Sequence, residues 1–291
     1  MYGVSSMTAT LKRVAVRRPG ASLLTADADQ WHYGTGFNRS TLVEEHDGFT
    51  SLLRRQGIEI ESIDGDDRGI ADAVFTYDAS LVTPRGAILM SPGKALRSGE
   101  QELHREYYLS RGIPIIGEIT GNATAEAGDT LWINDTTLAI GRGFRTNQAG
   151  CDQLKNLLAS IDIETRQFDL PVNQGRDACL HLMSLVSLVD TQAALVCMPL
   201  LPVGLFDLLN DKGFHLISAC YDEFIASGTL STNVLATAPG KCIMVQGFND
   251  TQRSLESAGI DVQVFAGHSL CIACEGGPTC LTRPLYRCGE I

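Results

Sequence analysis

Basic residues are scarce in this 291-residue sequence: 23 Lys and Arg stand against 34 Asp and Glu, a formal charge of −11. Holding a nucleic-acid backbone needs an excess of cations to neutralise phosphates, so the balance excludes nucleic acid as a partner. It suits a small cationic ligand instead. Long apolar runs are lacking too. The most apolar stretch, residues 193–209, is broken by Pro199, Pro202 and Gly204, and nothing reads as a bilayer span. The first ten residues have no apolar core of a signal peptide. Cysteine is absent from the first 150 residues, then appears nine times from Cys151 to Cys288. A secreted disulfide framework would be shorter, even-numbered and denser, so the expected compartment is the reducing cytoplasm. No Pro/Ser-rich linker or shift in composition divides the chain, and the expectation is one domain over residues 1–291.

What is present is alternation. Short β-rich segments (13–18, 58–63, 71–78, 86–90, 113–116, 130–133, 137–140, 194–198, 242–245) alternate with helical ones. In one of these, Leu154, Leu157, Leu158 and Ile161 share a face. Ser98 with Gln101 fits a capping box ahead of another. Residues 21–37 read as a polar, Gly-containing flap carrying Trp31, His32 and Tyr33. The pattern is strand–strand–helix–strand, repeated five times at spacings of about 45–60 residues. The fold class is α/β, and a closed ring of such units would bring equivalent strand ends to one axis.

Polar residues recur at those strand ends: Asp72, Asp78, Glu126, Asp129 and His181. The last apolar run, from His268, ends in Gly276-Gly277-Pro278, and Cys280 follows. Read as a strand closed by a turn, it would hold a thiol facing a cavity. A thiolate nucleophile, an imidazole proton carrier and carboxylates that grip a cation are the groups needed to attack an electrophilic carbon bound to nitrogen.

Four segments carry a family resemblance: Asn122-Ala-Thr-Ala-Glu-Ala-Gly-Asp129, Gly143-Phe-Arg-Thr-Asn147, Leu180-His-Leu-Met-Ser184 and Thr279-Cys-Leu-Thr282. Together they resemble the dimethylarginine dimethylaminohydrolases and, more loosely, arginine deiminases and amidinotransferases. The resemblance implies the pentein fold, a five-bladed α/β propeller with its active site on the axis, and a mechanism without metal or organic cofactor. It implies Cys280 as nucleophile, His181 as proton carrier, and Glu126 between His181 and the substrate. Asp78 and Asp72 would contact the guanidinium substrate, with Asp129 a further polar candidate, while Arg97 and Arg145 would hold a substrate carboxylate. Dimethylarginine giving citrulline and dimethylamine is the expected reaction, with a possible homodimer. Arginine deiminase, arginine dihydrolase or amidinotransferase activity is the alternative, and a non-catalytic arginine-binding pentein the competing class. Met183 stands where deiminases and amidinotransferases carry an Asp, whereas the Gly-Gly-Pro turn leans toward deiminases. Tyr77, in Phe75-Thr-Tyr-Asp78, matches neither branch.

The plainer readings concern the remaining cysteines and histidines. Cys151, Cys179, Cys197, Cys220 and Cys242 are expected as small buried hydrophobes. His32, His46, His104, His215 and His268 are expected as surface or packing residues. Cys271-Ile-Ala-Cys274 has zinc-ligand spacing, but on an extended strand these two thiols would point to opposite faces.

Overall fold

A computed structural model describes residues 1–176, 178 and 180–289. After strand β1 (Thr10–Val16) come three helices, α1 (Ala21–Leu24), α2 (Ala28–Trp31) and α3 (Leu42–Arg55), and then β2 (Glu59–Ser62). Three complete units follow: β3 (Ser80–Thr83), β4 (Gly86–Leu89), α4 (Glu100–Ser110), β5 (Ile115–Glu118); β6 (Thr130–Asn134), β7 (Thr137–Arg142), α5 (Gln148–Ala159), β8 (Glu164–Asp169); and β9 (Val186–Asp190), β10 (Ala193–Val196), α6 (Val203–Asp211), β11 (His215–Ser218). Helix α7 (Tyr221–Ala226) leads to β12 (Leu235–Ala238), β13 (Lys241–Val245), α8 (Asn249–Ser257) and β14 (Asp261–Phe265), and the last strand is β15 (Arg283–Cys288).

The strands make five separate three-stranded sheets, each an antiparallel pair followed by a parallel neighbour. A tight turn suffices for the antiparallel step, whereas the parallel step needs a crossover, which the helix supplies. Four sheets are contiguous in sequence. The fifth is β15–β1–β2, so the end of the described chain pairs with its beginning, Thr10 opposite Cys288 and Ala15 opposite Arg283. Burial grades across each sheet. The first strands β3, β6, β9 and β12 are almost wholly buried, and the third strands β2, β8 and β11 are largely exposed. This is a five-bladed α/β propeller with its core around the inner strands. Among the described residues, no helix is long and apolar enough to cross a membrane.

The structure departs from the sequence reading in four segments. Residues 71–78 form a 3₁₀ turn (Ala71–Val74) rather than a strand. Residues 21–37 contain α1 and α2 and are packed, with Trp31 and Tyr33 buried. The run from His268 curls into a π-type turn (His268–Ile272), because Glu45 on α3 accepts hydrogen bonds from Ser269 N and Leu270 N, the latter at 2.7 Å. Cys280 therefore precedes the last strand instead of ending one. Helix α4 is capped by Gly99, and Gln101 bonds Gly99 N, so Ser98 makes no capping box. Cys151, Cys197 and Cys242 are buried and Cys220 half-buried. Cys179 lies outside the described residues. His46 and His104 pack inside, and His32, His215 and His268 are exposed.

Candidate active site

Short 3₁₀ turns lead into four inner strands: Ala71–Val74, Ala127–Asp129, Leu182–Ser184 and Leu230–Thr232. The segment before β15 ends in Gly276-Gly277-Pro278-Thr279-Cys280. These five equivalent segments face one cleft, open to solvent, with about 50 Å³ of free room at its floor. Asp72, Asp78, Arg97, Arg145, His181 and Cys280 all line it. Glu126 lies just behind, fully buried, with Oε2 at 2.6 Å from His181 Nε2.

Glu126 is held from three sides. Arg145 Nη1 bonds both carboxylate oxygens (3.1 and 3.0 Å), Gly93 N donates to Oε1 (2.8 Å), and Arg97 Nη1 is 3.9 Å from Oε2. Burial opposes the charge, but Arg145 and His181 outweigh it and keep the carboxyl well below its ordinary value. Asp78 accepts from Arg97 Nη1 (2.6 Å) and Gly128 N (2.9 Å). Against its burial, His181 and Arg97 likewise keep it below the usual carboxylate range. Both carboxylates are thus held in the charged form by cations already bound to them.

Arg97 is itself buried, gripping Glu100 through Nε (2.9 Å) and Nη2 (2.8 Å) while holding Asp78. Its geometry fixes Asp78. Asp129 does not line the cleft. It is buried, Oδ1 accepts from Leu182 N (2.9 Å), and so it anchors the turn that presents His181. Burial pushes its carboxyl up to about 6. Asp72 accepts from Tyr33 OH (2.7 Å) and Lys94 Nζ (2.7 Å), and Lys94 also reaches Trp31 O (3.2 Å). Residues 21–37 are thereby tied across the cleft rim.

Glycines decide two close approaches. A Cβ on Gly128 would stand 2.8 Å from Asp78 Oδ1 and 2.9 Å from the His181 ring. Gly128→Ala should therefore push both groups aside and lower kcat/KM by about 10²-fold, with the far-UV spectrum unchanged. Wild-type kcat/KM in that variant would remove this account of the cleft. A Cβ on Gly276 would stand 2.2 Å from the Phe75 ring, so the turn that carries Cys280 needs glycine.

Two cleft residues carry no signal in the sequence reading. Asn233 accepts from Thr279 N through Oδ1 (3.1 Å), which turns its amide nitrogen toward Cys280 Sγ (3.2 Å). Lys94 is the other. Asn233 was findable in principle, because it is the fifth blade's counterpart of the other strand-end residues.

Asp78, Glu126 and His181 offer three ligand atoms within 4.8 Å of one another, the one such group among the described residues. A metal ion there would displace the guanidinium donors of Arg97 and Arg145. The Cys271-x-x-Cys274 pair lies in a helical turn, so the strand argument against zinc does not apply. No third ligand atom joins it among the described residues, and Cys274 Sγ bonds Ser269 O (3.3 Å).

The arginine deiminase family model matches residues 70–201. An uncharacterised protein of Aeropyrum pernix is 27% identical over 94% of this chain and 95% of its own length. The arginine deiminase of Mycobacterium avium is 27% identical over 75% of this chain, which spans 61% of that enzyme. Dimethylarginine dimethylaminohydrolase from Pseudomonas aeruginosa, solved as a mutant with citrulline, superposes with a TM-score of 0.75 at 21% identity, covering 94% of this chain and 98% of that one. The amidinotransferase SxtG of Microseira wollei gives 0.80 at 16% identity, covering 99% and 98%. By fold, the chain is a pentein. The expected five-bladed architecture is the observed one, and in this pentein each blade delivers at least one polar side chain to or behind the cleft.

Proposed function

We propose that this pentein is a hydrolase of N-substituted arginine, converting a dimethylarginine to citrulline and dimethylamine through a covalent Cys280 intermediate. The observation that carries the reading is the buried Glu126–His181 pair at 2.6 Å, set in one cleft with Asp78 and Cys280.

Asp78 receives the guanidinium, orienting it for attack. The Asn233 amide donates to Cys280 Sγ, which favours the thiolate over the thiol. The sulfur adds to the guanidinium carbon, the bond to dimethylamine breaks, and the departing nitrogen takes a proton from His181. A thiouronium remains. His181 then takes a proton from water, the hydroxide adds to the same carbon, the C–S bond breaks as the added hydroxyl gives its proton to solvent, and the neutral ureido product leaves with the thiolate restored and His181 protonated again. Glu126 holds the imidazole and stabilises its cationic form. Arg145 and Arg97 set the charge of the two carboxylates, and Arg145, on the cleft wall, remains the candidate for the substrate carboxylate.

The apolar wall favours a substituted nitrogen: Met183, Leu230 and Phe75 line the cleft, and Met183 offers no second carboxylate to an unsubstituted guanidinium. The match to the arginine deiminase model over residues 70–201 favours the second reading, hydrolysis of arginine itself. Mass spectrometry of products from arginine, monomethylarginine and asymmetric dimethylarginine separates the two. Citrulline from the methylated substrates alone supports the first, and citrulline from arginine alone replaces it with the second.

The arginine beside Glu126 gives a pH prediction. Arg145 holds the Glu126 carboxyl down, so Arg145→Met lets it rise toward its ordinary value. Activity that needs the carboxylate is lost as pH falls through that pKa. The acid limb of the kcat/KM profile should therefore move to higher pH, by about 1 unit or more. An unmoved limb would separate Glu126 from the reaction.

A further inference from the structure

Arg283 and Arg287 stand four residues apart on β15, so their side chains leave the same face of the strand. They are 1% and 8% exposed. Among the described residues, the hydrogen bonds they make all go to backbone carbonyls. Arg283 Nη1 reaches Tyr77 O (2.9 Å) and Ser80 O (2.6 Å), and Arg287 reaches Ala9 O (2.7 Å) and Ala236 O (2.8 Å). Arg283 Nε is buried with no partner. The Tyr77 ring lies 4.0 Å beneath the Arg283 guanidinium. Carbonyl dipoles and a ring face solvate a guanidinium, but they carry no net charge. Among the described residues no carboxylate meets either guanidinium, so two buried cations on one face of a strand repel each other, a costly arrangement unless an anion is close. Burial pushes the Arg287 guanidinium down to about 10, and the neighbouring Arg283 charge lowers it further.

Both arginines line a cavity distinct from the catalytic cleft, sharing with it the walls Tyr77, Met183 and Thr279. Its free room is about 10 Å³, enough for one water-sized particle. We propose that this cavity binds a halide, chloride in the cell, held between Arg283 and Arg287 beneath the floor of the catalytic cleft. Tyr77 then has a role: a neutral ring separates the substrate cation above from the buried cations below, whereas an acid there would pair with Arg283 and a base would add a third positive charge.

The test is thermal and chemical unfolding of the full chain in sodium chloride against sodium gluconate at matched ionic strength. An ion that binds only the folded state raises the folded-to-unfolded ratio about tenfold for each tenfold of chloride above its dissociation constant. Gluconate, too large for the cavity, should give no such rise, and Arg287→Met should remove the chloride response. Equal behaviour in both salts, or a response that survives Arg287→Met, overturns the proposal. Should that variant fail to fold, anomalous diffraction from wild-type crystals grown in sodium bromide decides. A peak between the two guanidiniums supports the site, and a clean map there with bromide bound elsewhere overturns it.

Discussion

Cys280→Ser should lower turnover of any accepted guanidine by more than about 10⁴-fold, the scale on which nucleophile replacements act. The hydroxyl is far less acidic than the thiol and no base in the cleft compensates, because His181 faces Glu126 and serves the departing nitrogen. The fold should survive unchanged. Cys280 is only half-buried, and its backbone carbonyl, which accepts from Tyr77 N at 3.1 Å, is untouched by the substitution. Steady-state kinetics with each arginine derivative gives the first readout. Intact-mass analysis after treatment with a thiol-reactive arginine analogue gives the second, since wild type should gain one adduct at Cys280 and the variant none. Residual activity within tenfold of wild type would end the covalent mechanism.

Glu126→Gln should combine a catalytic loss with a structural one. The carboxylate is fully buried and neutralises Arg145, with Arg97 nearby and His181 bonded to it. Removing one partner of a buried pair leaves the other charge unpaired, at a cost of about 3 kcal/mol or more. Urea unfolding should read this as a lower midpoint with the slope unchanged. Loss of the group that stabilises the imidazolium should lower kcat by about 10³-fold. The sign of the pH dependence is a further check. Glu126 has a folded pKa below its unfolded one, so its contribution to stability is present above the unfolded value. It fades as pH falls toward the folded one. Wild type should lose stability faster than Glu126→Gln as pH drops below about 4. Parallel curves would show that the pair contributes nothing to folding.

The ring of five was legible because each repeat writes its own alternation of β-rich and helical segments, and the turns between them carry Gly, Pro or Asn. The cleft was legible for a different reason. Asp78, Glu126, His181 and Cys280 sit in short local motifs whose spacing survives without knowledge of tertiary contacts. What escaped depends on distant partners. Residues 268–272 read as a strand by composition, yet Glu45, more than 200 positions earlier, draws their amides into a turn. Residues 21–37 read as a flap because nothing local reveals that Tyr33 meets Asp72, or that Lys94 meets the Trp31 carbonyl. Asn233 escaped because a lone amide in Ser-Thr-Asn-Val has no signature until Thr279 fixes its orientation.

Strand β15 both closes the ring against β1 and follows the nucleophile by three residues. During synthesis the chain emerges from its N-terminal side, so four blades with their acids, histidine and arginines are made before the thiol appears. The same few residues that arm the cleft then seal the propeller, so maturation of activity and closure of the ring are one event.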